Sequence, residues 1–159
     1  MNIKIGFGYD VHQLAEGESL VLGGIQIPHH KGTVAHSDGD VLIHAICDAI
    51  LGAANLRDIG YQFPDNSMEF KNIGSKILLM RTIELIEQKG FKVGNIDSTL
   101  ALQKPKVKEY IDDMRKTLAE ILKVSTDDVS IKATTTEKLG FEGREEGVSA
   151  YAVVLLYKN

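Results

Sequence analysis

Apolar positions along the chain follow two rhythms, one of two residues and one of three to four, and the switches between them predict the elements. Ile3, Ile5, Phe7 and Tyr9 alternate with Lys4, Gly6, Gly8 and Asp10, which predicts an opening strand with one apolar face and one nearly bare face. Leu20-Val21-Leu22 and Ile25-Gln26-Ile27 flank Gly23-Gly24 and read as a small hairpin, because paired glycines accept the positive φ of a two-residue turn; Pro28 ends it. Ser37 or Asp38 then caps a helix running to about Asn55, with Val41, Leu42, Ala45, Ile46, Ala49, Ile50 and Ala53 on its apolar side. A loop from Arg57 to Ile73 separates it from a second helix, about Ser75 to Lys89, with Gly90 at its C-terminal stop. Phe91 to Gln103 predicts a strand. Pro105 opens a segment whose apolar residues from Val107 to Leu122 are spaced as on a helix, and Val129 to Ala133 and Val148 to Tyr157 predict the closing strands.

Two helices stand together between the early hairpin and the later strands, so the order is not a regular βαβα repeat. The expected fold is α+β: one domain over residues 1–159, a four-stranded mixed sheet with helices packed on one face, plus the small hairpin. The last strand is apolar on both parities from Ala150 through Leu156, so its second face is expected to meet another subunit.

Composition narrows the function classes. With 43% hydrophobic residues in 159 the chain has material for a core, which excludes a disordered protein. Its single cysteine, Cys47, excludes a disulfide framework and an all-cysteine zinc site, and a lone thiol fits a reducing compartment such as the cytoplasm. Basic residues number 18 against 22 acidic ones and form no stripe, so nucleic acid is not an expected partner. The longest apolar run, Val148 to Tyr157, is about half the roughly 20 residues a membrane-spanning helix needs, and the opening MNIKIGFGYD lacks the apolar segment of a signal peptide; no membrane association is expected.

Candidate chemistry begins with Asp10 and His12, two apart on a strand and therefore on one face, where Gly6 and Gly8 leave space beside them. Asp40, His44 and Asp48 follow at steps of four, a polar stripe on an otherwise apolar helix. Two carboxylates around an imidazole suit its orientation as a metal ligand; a hydrogen-bonded core histidine is the plainer alternative. An Asp, His, His set offers hard oxygen and neutral imidazole to zinc and leaves a fourth tetrahedral position open. His36 and Ser37 precede a helix N-terminus, which favours an anion such as phosphate, unless Ser37 serves only as the cap. Lys132 to Lys138, KATTTEK, ends a strand with three hydroxyls and a carboxylate, suited to phosphoryl oxygens and a bridging cation, or equally to a capping box of Thr134 with Glu137. Lys104-Pro105-Lys106 reads either as an anion grip or as a solvated turn.

Taken together, GYDVH (Gly8 to His12), AHSDGDVLIHAICDAILGAA (Ala35 to Ala54), DIG (Asp58 to Gly60), FPD (Phe63 to Asp65) and KATTTEKLGFEGREEG (Lys132 to Gly147) resemble the 2-C-methyl-D-erythritol 2,4-cyclodiphosphate synthases over essentially the whole chain. The resemblance implies a homotrimer with active sites between subunits. It implies conversion of 4-diphosphocytidyl-2-C-methyl-D-erythritol 2-phosphate to the 2,4-cyclodiphosphate with release of CMP, in the non-mevalonate isoprenoid route. Carried over by position, Asp10, His12 and His44 resemble the ligands of one Zn²⁺ per site, and Glu137 that of a second divalent cation, Mg²⁺ or Mn²⁺. His36 and Thr135 resemble the transition-state stabilisers. Ser37, Asp58, Ile59, Gly60, Phe63, Pro64 and Asp65 resemble contacts to the erythritol phosphate end, and Leu102, Gln103, Lys104, Pro105, Lys106, Thr134 and Thr136 contacts to the cytidine diphosphate end. Phe141 and Arg144 resemble further substrate contacts; Arg144 with Glu146 is expected near a threefold axis whose cavity takes an isoprenoid diphosphate. Asp48 is expected to orient a zinc-bound imidazole. Two other readings use the same residues: a zinc-dependent phosphoester hydrolase, with Asp48 or Asp65 as base, and a non-catalytic trimer that binds an isoprenoid diphosphate.

Overall fold

The opening alternation becomes a long strand, β1 (Asn2–Glu16), in the computed structural model, which describes residues 1–159. The hairpin forms as β2 (Leu20–Leu22) and β3 (Ile25–Ile27), and Gly23 and Gly24 both take positive φ, 60° and 78°, as its turn requires. A short β4 (Lys31–Thr33) follows, then α1 (Val41–Ala53), α2 (Ile59–Gln62), α3 (Ser75–Gln88), β5 (Lys92–Ala101), α4 (Ile111–Leu122), β6 (Val129–Thr134), α5 (Gly140–Gly143) and β7 (Gly147–Lys158).

The main sheet has five strands, in the order β4-β1-β7-β5-β6, where the residue pattern predicts four. The additional strand is β4, whose Lys-Gly-Thr carries no alternation to detect and which pairs with the far end of β1, Leu14 opposite Thr33. Neighbouring strands are antiparallel except β5 and β6, so the sheet is mixed as expected. The helices lie against one face: α1 crosses β1 and β7, α3 packs on α1, and α4 packs on α3 and β6. No helix is long and apolar enough to cross a membrane.

α1 starts later than the sequence reading places it, because Asp40 rather than Ser37 or Asp38 is its cap. The Asp40 carboxylate accepts from Ile43 N–H at 3.1 Å and from the hairpin-turn amides of Gly23 and Gly24 at 3.0 and 2.6 Å. Burial pushes its carboxyl up to about 6 against those three lowering contacts. The segment after Pro105 does not enter the helix directly; a 3-10 turn at Lys108–Tyr110 precedes α4. Thr134 and Glu137 form no capping box, since Glu137 and Lys138 take positive φ, 55° and 63°, and Thr134 Oγ1 donates to the carbonyl of Thr135.

The two faces of β1 divide unexpectedly. Its glycine face turns inward, and the room beside Asp10 and His12 is filled by α1: a Cβ on Gly6 would lie 1.8 Å from Ala49 O, and one on Gly8 1.9 Å from Ala45 O. Its apolar face turns outward, leaving Ile5 73% and Phe7 62% exposed, with Ile3, Tyr9 and Val11 beside them and Tyr151 and Val153 on neighbouring β7. Seven exposed apolar side chains on two paired strands form the kind of patch that marks an interaction surface.

Candidate metal centre

Strand parity puts Asp10 and His12 on the inner face of β1, and His44 reaches them from the first turns of α1. The helix comes close enough only because Gly6 and Gly8 face Ala45, Ala49 and Ala53, small residues at steps of four. Asp10 Oδ2 is 3.0 Å from His12 Nε2 and 3.1 Å from His44 Nδ1, and the two nitrogens are 3.1 Å apart. The three donors thus form a nearly equilateral triangle, the only group of three or more potential ligands of this kind in the chain.

That triangle fits a metal ion on its own chemistry. Protons can satisfy at most two of its edges, since a carboxylate oxygen can accept from both imidazoles but then two N–H groups face each other across the third. A cation on the triangle's axis is attracted to all three. Tetrahedral Zn²⁺, at bonds of about 2.0–2.1 Å, spaces its ligand atoms by about 3.3 Å, close to the separations here. The electrostatics agree: burial alone would raise the Asp10 carboxyl, but hydrogen bonds from His12 and His44 outweigh it and hold the group down to about 2. Burial likewise opposes charge on His44, yet Asp10 at its Nδ1, with Asp40 and Asp38 nearby, raises its pKa overall.

Asp48 does not orient the imidazole, contrary to the expectation from its spacing. Its Oδ1 accepts from Ile59 N–H at 2.9 Å and so anchors the start of α2. Burial raises its carboxyl despite that bond, with Asp58 and Asp10 adding to the effect. Nor does Asp40 touch the ring; its carboxylate is spent on the cap. The outer nitrogen of His44, Nε2, instead lies 2.9 Å from Ser75 Oγ.

Around the triangle a cleft of about 510 Å³ gathers His36, Ser37, Asp48, Ile59, Gly60, Phe63 and Asp65 with the three candidate ligands. Asp58 stands just outside its lining as the residue before α2, and Pro64 lies between two lining residues. A second pocket, of about 300 Å³, gathers Leu102, Gln103, Pro105, Lys106, Thr134 and Thr135, beside Lys104 and Thr136. Glu137 N–H donates to Thr135 Oγ1 in the turn that follows, and Lys138 N–H donates to the Gln103 side chain, tying the two loops together. Phe141 lines a third hollow with Val11 and His12, and Arg144 pairs with Glu146 at 2.8 Å on the surface. The sequence-derived residues therefore divide among separate cavities within one chain. Phe70, Asn72 and Ile73 also line the metal cleft; sequence reasoning passed over them because the loop they occupy has no periodicity.

Known proteins match the chain along its whole length. The 2-C-methyl-D-erythritol 2,4-cyclodiphosphate synthase of Bacteroides fragilis is 64% identical over 156 residues, covering 98% of each chain. A solved 2C-methyl-D-erythritol-2,4-cyclodiphosphate synthase in its CDP-bound form superposes with a TM-score of 0.91 at 36% identity, over 97% of this chain and 100% of that one. The bifunctional IspDF from Campylobacter jejuni superposes with a TM-score of 0.94 at 44% identity; the match takes in 99% of this chain and 43% of that one. Residues 3–157 match the YgbB family, to which this chain belongs.

Proposed function

We propose that the chain converts 4-diphosphocytidyl-2-C-methyl-D-erythritol 2-phosphate to 2-C-methyl-D-erythritol 2,4-cyclodiphosphate, releasing CMP, as a phosphorus–oxygen lyase of the non-mevalonate isoprenoid route. The observation that carries this reading is the Asp10, His12, His44 triangle, set in a cleft beside His36 and Ser37. In the reaction an oxygen of the 2-phosphate forms a bond to the β-phosphorus of the same molecule. The bond from that phosphorus to the bridging oxygen breaks, and CMP leaves with the oxygen.

No side-chain nucleophile is required, so the residues act by positioning and by charge stabilisation. Asp10, His12 and His44 would hold Zn²⁺, and Glu137 would bind Mg²⁺ or Mn²⁺ together with substrate phosphates. A divalent cation supplies Lewis-acid neutralisation of phosphoryl oxygens when bound. His36 and Thr135 donate to the charge that develops on the transferring group. Ser37 and the segments Asp58 to Gly60 and Phe63 to Asp65 seat the erythritol phosphate; Leu102 to Lys106, with Thr134 and Thr136, seat the cytidine diphosphate, and Phe141 and Arg144 add further contacts. Residues 1–159 act as one domain, and the free, buried Cys47 suits the reducing cytoplasm.

The division between two cavities supports a homotrimer in which the cytidine pocket of one subunit completes the metal cleft of the next. The outward apolar face of β1 and β7 supplies the contact surface, and a cavity near Arg144 and Glu146 on the threefold axis is the place for an isoprenoid diphosphate. Ile5→Glu, which an isolated subunit would tolerate at a 73% exposed position, is expected to release monomers in light-scattering chromatography and to abolish turnover. An intact oligomer in that variant would remove β1 from the interface.

Asp48→Ala withdraws the acceptor from Ile59 N–H and loosens the substrate segment at α2. A lost hydrogen bond of about 1–1.4 kcal/mol predicts a rise in KM of roughly five- to tenfold with zinc content unchanged. The reaction itself is tested by phosphorus NMR with the cytidine diphosphate substrate and Mg²⁺: a cyclic diphosphate appearing with CMP is expected, and a linear product would favour hydrolysis.

A further inference from the structure

His44 is held from both sides. Its Nδ1 faces Asp10 and His12, and its Nε2 lies 2.9 Å from the hydroxyl of Ser75, at the first turn of α3. Ser75 is fully buried and has one hydroxyl proton to give. Two acceptors compete for it, His44 Nε2 and the carboxylate of Asp38. Asp38 is fixed by backbone: its Oδ2 accepts from Ser75 N–H at 3.0 Å and its Oδ1 from Asp40 N–H at 3.2 Å. Ser75 Oγ makes a close hydrogen bond to that same Oδ1. A carboxylate only accepts, so the hydroxyl proton goes to Asp38, and Ser75 Oγ is left as an acceptor toward the ring.

We propose that Ser75, held by Asp38, is the positioning residue that accepts the Nε2–H of His44 and thereby fixes the ring with Nδ1 toward the metal. This rests on the reading of Asp10, His12 and His44 as metal ligands. A ligating imidazole needs its other nitrogen bonded so that ring orientation and tautomer are fixed, and here no other group in the chain takes that role. The arrangement also links the loop before α1, which carries His36 and Ser37, to the end of the loop from Phe63 to Ile73, so that the ring is aimed by the two segments that line the cleft.

The test uses the full chain, loaded with Zn²⁺, and two variants. Nitrogen-15 NMR of the imidazoles, with the His44 signals identified by their loss in His44→Ala, is expected to show a hydrogen-bonded, slowly exchanging Nε2–H in the zinc-loaded parent chain. Ser75→Ala should leave that Nε2–H exchanging fast and weaken Co²⁺ and Zn²⁺ binding by about 10- to 100-fold, with an altered Co²⁺ visible spectrum. Asp38→Asn tests the support behind the hydroxyl. Asp38 Oδ1 accepts from Asp40 N–H and Ser75 Oγ, and Oδ2 from Ser75 N–H, so either orientation of the amide sets its NH₂ against a backbone N–H and loosens the hold on Ser75. The Nε2–H should then exchange faster and metal affinity should fall, by no more than in Ser75→Ala. Unchanged His44 signals and unchanged Co²⁺ affinity in both variants would overturn the proposal. A parent chain that takes up neither ion would sink the metal reading, and this proposal with it.

Discussion

Replacing His44 by alanine is expected to strip the chain of bound zinc and of turnover together while leaving it folded. The side chain closes a triangle whose other two donors each lie 3.1 Å away, and two donors do not make a closed site. Loss of a direct ligand should exceed the roughly 10–100-fold that an outer hydrogen-bond partner contributes. Turnover should fall by at least the roughly 10²–10³ that follows from removing one element of charge stabilisation. The fold has little at stake. Alanine is the better helix former by about half a kcal/mol, Asp10 and His12 remain paired, and Ser75 keeps Asp38 as a partner. Metal content by atomic emission, phosphorus NMR and a thermal melt check the three parts. Full zinc occupancy in the variant would remove His44 from the ligand set and the triangle with it.

Gly8→Ala is expected to do the reverse, removing the site by way of the fold. The added Cβ would sit 1.9 Å from Ala45 O and 2.7 Å from Ala49 N, both backbone atoms of α1 that no rotamer change can move. Relieving that overlap requires the helix to withdraw by about 1.5 Å, since ordinary carbon–oxygen contact is about 3.4 Å. Overpacking against backbone costs about 3 kcal/mol or more, which in a chain of this size lowers the melting midpoint by roughly 6–12 °C. The same withdrawal carries His44 away from Asp10 and His12, so zinc affinity should collapse even in the fraction that stays folded. A variant that keeps both its melting midpoint and its zinc would show that the close approach of α1 to β1 is not what sets the ligand spacing.

The sequence pattern supplies much of this centre and misses its surroundings for definite reasons. Asp10 and His12 share a face by strand parity, and the apolar stripe of α1 aims His44 inward, so three ligand candidates are legible before any coordinates. Steps of four also group Asp40 and Asp48 with His44, but helical spacing states which side of a cylinder a residue occupies, not which partner its oxygen finds. Asp40 finds the hairpin turn and Asp48 finds Ile59, both through contacts distant in sequence. Ser75 and Asp38 are missed because serine and aspartate near helix starts read as caps. Here Gly74 occupies the N-cap position of α3 and makes no side-chain cap bond, which leaves Ser75 free to face the ring. The short β4 escapes because three residues carry no period, and the outward turn of the apolar face of β1 escapes because alternation identifies two faces without saying which one is covered.

The grip of Asp40 on the hairpin reaches beyond the start of a helix. A ribbon of two three-residue strands is too small to persist in water by itself. This one has Leu20, Leu22 and Ile27 sunk in the core and its two turn amides bound to a carboxylate that also seals the first turn of α1. Ribbon and helix therefore open as one cooperative unit, and amide protons at the tip of what looks like a surface turn should exchange with solvent as slowly as those of the buried helix.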